Sequence, residues 1–132
     1  MLESAAVIAV SGEVLYWHLP ARRTVAALPD SRTLWEILWA HRDHLAGVAH
    51  THPGAGLPAP SWTDLTTFAA CEDGLGERLI WWIATPDHLA AFTHHGPNRL
   101  DYAGRFIHSP PPWLSLLRRH SNIIDHTKRS AR

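Results

Sequence analysis

Long apolar runs are missing from this 132-residue chain, and with them any stretch near the roughly 20 residues that a membrane-spanning helix needs. Cysteine is almost missing too. Cys71 stands alone, so no internal disulfide can close and no thiolate metal cluster can assemble, which suits a reducing cytosol. Net charge is zero, twelve basic residues against twelve acidic ones, which argues against a broad cationic surface for nucleic acid or membrane. The opening residues, MLESAAVIAV, have no basic n-region of a secretory signal and carry an acid instead. The expectation is a cytoplasmic protein with one domain over residues 1–125 and a solvated basic tail over 126–132, ending a basic excess that starts at Arg118.

Histidine and tryptophan are plentiful, eleven and seven, and the elements that carry them follow from pattern. AAVIAVSGEVLYWHLP predicts a hairpin, with strands near 5–10 and 13–19 about Ser11-Gly12. ARRTVAALPD reads as a short extended piece stopping at Pro29. Asp30 or Ser31 then caps a helix near 31–45, with Leu34, Trp35, Leu38 and Leu45 at roughly helical spacing and Gly47 closing it. GVAH follows as a short buried strand, then a proline-rich loop, then a helix near 62–71 capped by Ser61. RLIWWIAT predicts a central strand, HLAAFTHHGPNRLDYAG a hairpin turning at Gly96-Pro97-Asn98, and PPPWLSLLRRHSNII a terminal helix. The fold class is α/β in the mixed α+β sense, a central mixed sheet flanked by helices.

Side chains follow from these elements. Trp35 and Trp39 share one helix face and are expected in the core. Trp81 and Trp82 straddle a strand, so one is buried and the other covered by a helix or a partner. Cys71 is expected as a buried small hydrophobe, and His18, His41 and His44 at the surface. His94 and His95, adjacent on a strand, point to opposite faces and make a poor site.

The stretch GVAHTHPGAGLPAPSWTD, residues 47–64, differs from these. Residues i and i+2 of a strand share a face, so His50 and His52 at a strand end can aim both imidazoles at one point. Asp64, in the first turn of the next helix, can return to that point once the Gly/Pro loop reverses the chain. Two imidazoles and a carboxylate are zinc ligands, and three ligands with one open position describe a catalytic site rather than a structural one. Water bound there has its pKa lowered towards roughly 7. Ser61, one turn before Asp64, either caps the helix or donates to an oxyanion formed during attack on a carbonyl.

His50-Thr51-His52-Pro53, seven residues, Ser61, two residues, Asp64 resembles the JAMM signature H-[ST]-H-P-x7-S-x2-D of the JAB/MPN metalloproteases, with every fixed position kept. The resemblance implies an MPN/JAB-like, cytidine-deaminase-like sheet and Zn2+ held by His50, His52 and Asp64. It implies hydrolysis of a peptide or isopeptide bond, next to the C-terminal glycine of a ubiquitin-like or sulfur-carrier protein, with Ser61 steadying the tetrahedral intermediate. Few residues remain for insertions that grip ubiquitin, which suggests a short prokaryote-like or phage-like member. Trp62, beside Ser61, either contacts substrate or simply packs. The chain is expected as a monomer or a homodimer.

The family also takes its general base from a glutamate early in the chain, in a pattern like E-x-x-G. Here Glu3 has Ala6 where glycine is usual, and only two residues precede it where the family carries a strand and a helix. Glu13 is the rival. A six- to eight-residue strand at about 3.3 Å per residue places Glu13 roughly 20–25 Å from a metal end at the strand start, which favours Glu3. Loss of the base altogether is the third option, and it matches a catalytically silent MPN-like binding scaffold. A zinc amidohydrolase of small molecules or cell-wall peptides is a further alternative.

Overall fold

In the computed structural model, which describes residues 1–54 and 56–123, the first apolar run forms β1 (Ala5–Ala9). It folds back through Gly12, at φ 90°, to β2 (Val14–His18), with Ala5 opposite His18. β1 is buried along its whole length because its other edge pairs antiparallel with β3 (Leu45–Thr51), Ala5 opposite His50 and Ala9 opposite Leu45. β3 pairs parallel with β4 (Ile80–Ala84), and β5 (Leu89–His94) and β6 (Tyr102–Phe106) continue antiparallel. The sheet order is β2-β1-β3-β4-β5-β6, a six-stranded mixed sheet. With three α-helices among the described residues, this is the mixed α/β architecture the sequence predicts.

Strand alternation sorts the core into two layers. Ala5, Val7, Val48, Trp81 and Ile83 pack with Leu38 of α1 (Arg32–Ala40) and Phe68 of α2 (Trp62–Leu75). Ala6, Ile8, Ala49 and Ala84 pack with Leu114 and Leu117 of α3 (Leu114–His120). Trp81 therefore stacks on Phe68, ring centroids 4.3 Å apart, while Trp82 meets Trp113 on the other face at 5.4 Å, as the straddling pattern requires. The hairpin turning near Gly96 and the helix after the prolines also form where expected.

Several expectations are corrected. Of the two expected caps Ser31 is the one that caps α1, accepting the Leu34 N–H at 3.0 Å, but the helix stops at Ala40 rather than near 45. A 3₁₀ turn over Arg42–His44 follows, and Leu45 already belongs to β3. Gly47 is no helix stop. It lies inside β3, where a Cβ would sit 1.7 Å from the Ile80 carbonyl oxygen, so glycine lets β3 and β4 approach. Trp35 and Trp39 share a face but remain 39% and 46% exposed. The Trp35 ring lies over Gly74, and Trp39 stacks on Trp35 and under the Arg42 guanidinium at 4.1 Å. Residues 21–30 belong to no strand or helix, with a turn at Ala21 and Arg22 and a bend at Val25 and Ala26.

α2 runs past residue 71 to Leu75 and ends at a left-handed Gly76, whose N–H donates to the Glu72 carbonyl, and the Glu72 side chain in this last turn is a buried acceptor. It takes hydrogen bonds from the Leu79 N–H, Trp81 Nε1, Arg78 and the Tyr102 hydroxyl. Cys71 is half-buried against the core, and burial pushes its thiol up to about 11. His18 is buried, its Nε2 2.6 Å from the Pro29 carbonyl. Arg118, where the basic excess read as a solvated end begins, is buried and donates to the carbonyls of Thr85 and His88. The tail proper, 126–132, lies outside the described residues. Among the described residues no helix is long and apolar enough to cross a membrane.

Candidate metal centre

The end of the parallel pair β3–β4 gathers the residues of the HTHP stretch. His50 is buried in the penultimate position of β3, edge-on to Phe68 of α2 with ring centroids 6.3 Å apart. His52 lies one residue beyond the strand, yet its N–H donates to the Ala84 carbonyl at 2.8 Å, which prolongs the ladder with β4. The two-residue period therefore holds, and the two Nε2 atoms lie 3.0 Å apart. Pro53 is fully buried, anchoring the start of the loop that turns the chain back to α2.

Ser61 caps α2, and the cap also builds the site. Its Oγ accepts the Asp64 N–H at 3.0 Å, and Asp64 Oδ2 accepts the Ser61 N–H at 2.9 Å, a reciprocal capping box. That bond aims the carboxylate inward: Oδ2 lies 3.1 Å from His52 Nε2 and Oδ1 3.5 Å from His50 Nε2. Burial pushes the Asp64 carboxyl up, but hydrogen bonds with His50 and His52, the charge of His50 and the Ser61 N–H outweigh it and hold the group far below the usual carboxylate range.

Glu3 joins from β1. The antiparallel register that sets Ala5 opposite His50 continues through Ser4 and Thr51, so Glu3 falls across from His52. It is 8% exposed, and Glu3, His50 and His52 each offer a ligand atom within 4.8 Å of the others, close enough to share a metal ion. Burial raises its carboxyl to about 7; His52 opposes the rise and the Asp64 carboxylate adds to it. Glu13 follows the hairpin turn at the other end of β1, exposed, with its N–H on the Ser11 hydroxyl. Only one of the two candidate glutamates is near the histidines.

The donors lie close enough to hold a metal ion. Bonds of 2.0–2.1 Å in a tetrahedron keep ligand atoms about 3.3 Å apart, and the contacts among His50, His52 and Asp64 run from 3.0 to 3.5 Å. Ser61 acts as the cap, and among the described residues its O–H donates to no partner, so a donor remains beside the carboxylate. Trp62 is 71% exposed, so the packing alternative falls away. Among the described residues, four further histidines make bonds of their own. His94 and His95 bond locally to the Asn98 carbonyl and the Thr93 hydroxyl, and His41 and His44 pair with each other at the surface.

Sequence reasoning passed over Thr51, Ser4, Arg23 and Ser121, which are hydrogen-bonded together behind the histidines. Thr51, set between two ligand candidates on a strand, was a readable signal; the other three meet only through tertiary structure. No protein-family model matches the chain, and no curated protein matches it.

Proposed function

We propose that the chain is a zinc-dependent hydrolase of peptide or isopeptide bonds with an MPN/JAB-like fold, in which His50, His52 and Asp64 hold the ion. One observation carries this reading: two imidazoles and a carboxylate meet within 3.5 Å, and a second buried carboxylate lies within 4.8 Å of both imidazoles. A zinc ion held there would supply Lewis acidity, polarising a carbonyl and bringing the pKa of water towards roughly 7. The chain's own residues supply the rest. Glu3 accepts a proton from the attacking water on a carboxylate oxygen and returns it to the leaving amine, a task that its burial beside both imidazoles supports. The Ser61 hydroxyl donates to the oxygen of the substrate carbonyl as negative charge develops there. Trp62, exposed one residue away, contacts the substrate chain.

The substrate class suggested by the motif is a protein ending in glycine, ubiquitin-like or sulfur-carrier-like. A silent binding scaffold has no use for a buried acid beside two imidazoles, so Glu3 favours the enzyme. The test is cleavage of a glycine-glycine peptide carrying a fluorogenic amide. Zinc-loaded wild type and Glu13→Gln are expected to cleave it, and Glu3→Gln to lose about 100-fold or more in kcat. Inert wild type would favour the scaffold, and an active Glu3→Gln would remove Glu3 as the base.

A further inference from the structure

Thr51 lies between His50 and His52, so its side chain takes the opposite face of the sheet, the one covered by α3. There its Oγ1 accepts the Ser4 N–H at 2.9 Å and lies 2.7 Å from Ser121 Oγ, whose own proton goes to Ser4 Oγ at 2.7 Å. A hydroxyl has one proton, so Thr51 is the donor to Ser121. Arg23 Nη1 closes the cluster, donating to Ser4 Oγ at 2.7 Å and to the carbonyls of Glu3 and His120 at 3.3 and 3.1 Å. Ser4, Thr51 and Ser121 are fully buried.

This cluster stands where the β-ladder gives out. β1 begins at Ala5, and the three amides before it are each held by a different partner: Leu2 by the Ser121 carbonyl, Glu3 by the Thr24 carbonyl, and Ser4 by the Thr51 hydroxyl. The Thr51 N–H returns to the Ser4 carbonyl at 3.0 Å. Thr51 thus grips both backbone groups of the residue after Glu3 while sitting between the two imidazoles. We infer that Thr51, with Ser121 and Arg23, is a positioning clamp that fixes the Glu3 carboxylate relative to His50 and His52 from behind the sheet. The inference rests on the hydrolase reading for its catalytic consequence, but not for the clamp itself.

Thr51→Val keeps the shape and removes the hydroxyl, whereas Thr51→Ser keeps the hydroxyl. In zinc-loaded full-length protein, with the glycine-glycine fluorogenic amide, Thr51→Val is expected to lower kcat about 10- to 100-fold. KM and zinc affinity should stay within about twofold, because substrate binding and the ligands are untouched. Thr51→Ser should restore kcat. In the metal-free protein, residue-resolved hydrogen exchange is expected to show the Glu3 and Ser4 amides losing protection in Thr51→Val while Val7 and Val48 keep theirs. Wild-type kcat in Thr51→Val, an equal loss in Thr51→Ser, or unchanged exchange at Glu3 and Ser4 would each overturn the clamp. Should Thr51→Val fail to fold, Ser121→Ala removes one arm of the cluster and is read by the same criteria. If wild type cleaves nothing, the hydrolase reading falls and the exchange pattern alone decides the clamp.

Discussion

Glu3 shows how one residue's surroundings set its chemistry. The same carboxylate in water titrates near 4.5; buried beside Asp64 it moves to about 7, with His52 pulling the other way. The linkage has a definite sign. A carboxyl whose folded value lies above its unfolded value favours the folded state most below pH 4.5, and that contribution is lost as pH rises through 7. Glutamine cannot ionise, so metal-free Glu3→Gln should be the more stable protein above pH 7, by up to the order of 3 kcal/mol, and should lose that advantage near pH 4.5. Asp64, displaced in the opposite direction, loses its contribution only as pH falls below its unfolded value, and it does so in both proteins. Urea unfolding of the two proteins at pH 5 and pH 8 checks this, and parallel pH dependence would show that Glu3 is not held in a desolvated place.

At the scale of elements, Ser61 joins helix capping to site building. Ser31 caps α1 by the same bond, its Oγ accepting the third amide N–H, but far from the histidines in the chain. Ser31→Ala and Ser61→Ala should each cost about 1 kcal/mol by urea unfolding. Only Ser61→Ala should also weaken zinc binding in calorimetric titration, because the capping box aims Asp64. Equal zinc affinities would separate the cap from the site. Gly47 offers a harsher test: its Cβ would meet the Ile80 carbonyl, so Gly47→Ala should cost at least about 1–3 kcal/mol in the same unfolding assay.

These elements also mark how far the sequence can be read. Both hairpins, β4 and the cap at Ser61 were legible because alternation, turn residues and capping chemistry are local. The end of α1 was not. Leu45 fits the helical spacing of Leu34 and Leu38 as well as it fits a strand, and Gly47 looks like a helix stop unless its parallel neighbour is known. Helical spacing put Trp35 and Trp39 on one face but could not say that this face is left half open. His18 and Arg118 were misjudged for the same reason: their acceptors, the carbonyls of Pro29, Thr85 and His88, are supplied by other segments.

Across the whole molecule, topology explains why fifteen residues of motif suffice. The parallel pair β3–β4 ends at Thr51 and Ala84, and α2, which connects them, begins at that same end. Ligand sites in α/β sheets lie in the crevice beyond the carboxyl ends of parallel strands, and β3 with the residue after it delivers two histidines there while α2 delivers an aspartate in its capping box. β1 runs antiparallel to β3, so the residues leading into it, not those after it, reach the same place, which is why Glu3 and not Glu13 attends the histidines. Residues 3, 50, 52 and 64 are thus brought to one point by three elements. Zinc titration of the full-length protein by calorimetry, with metal analysis of the product, tests this most directly. One zinc per chain is expected, with binding weakened at least about tenfold in His52→Ala and Asp64→Ala and kept in Glu3→Gln. Zinc that binds equally well without His52 and Asp64, or does not bind at all, would contradict it.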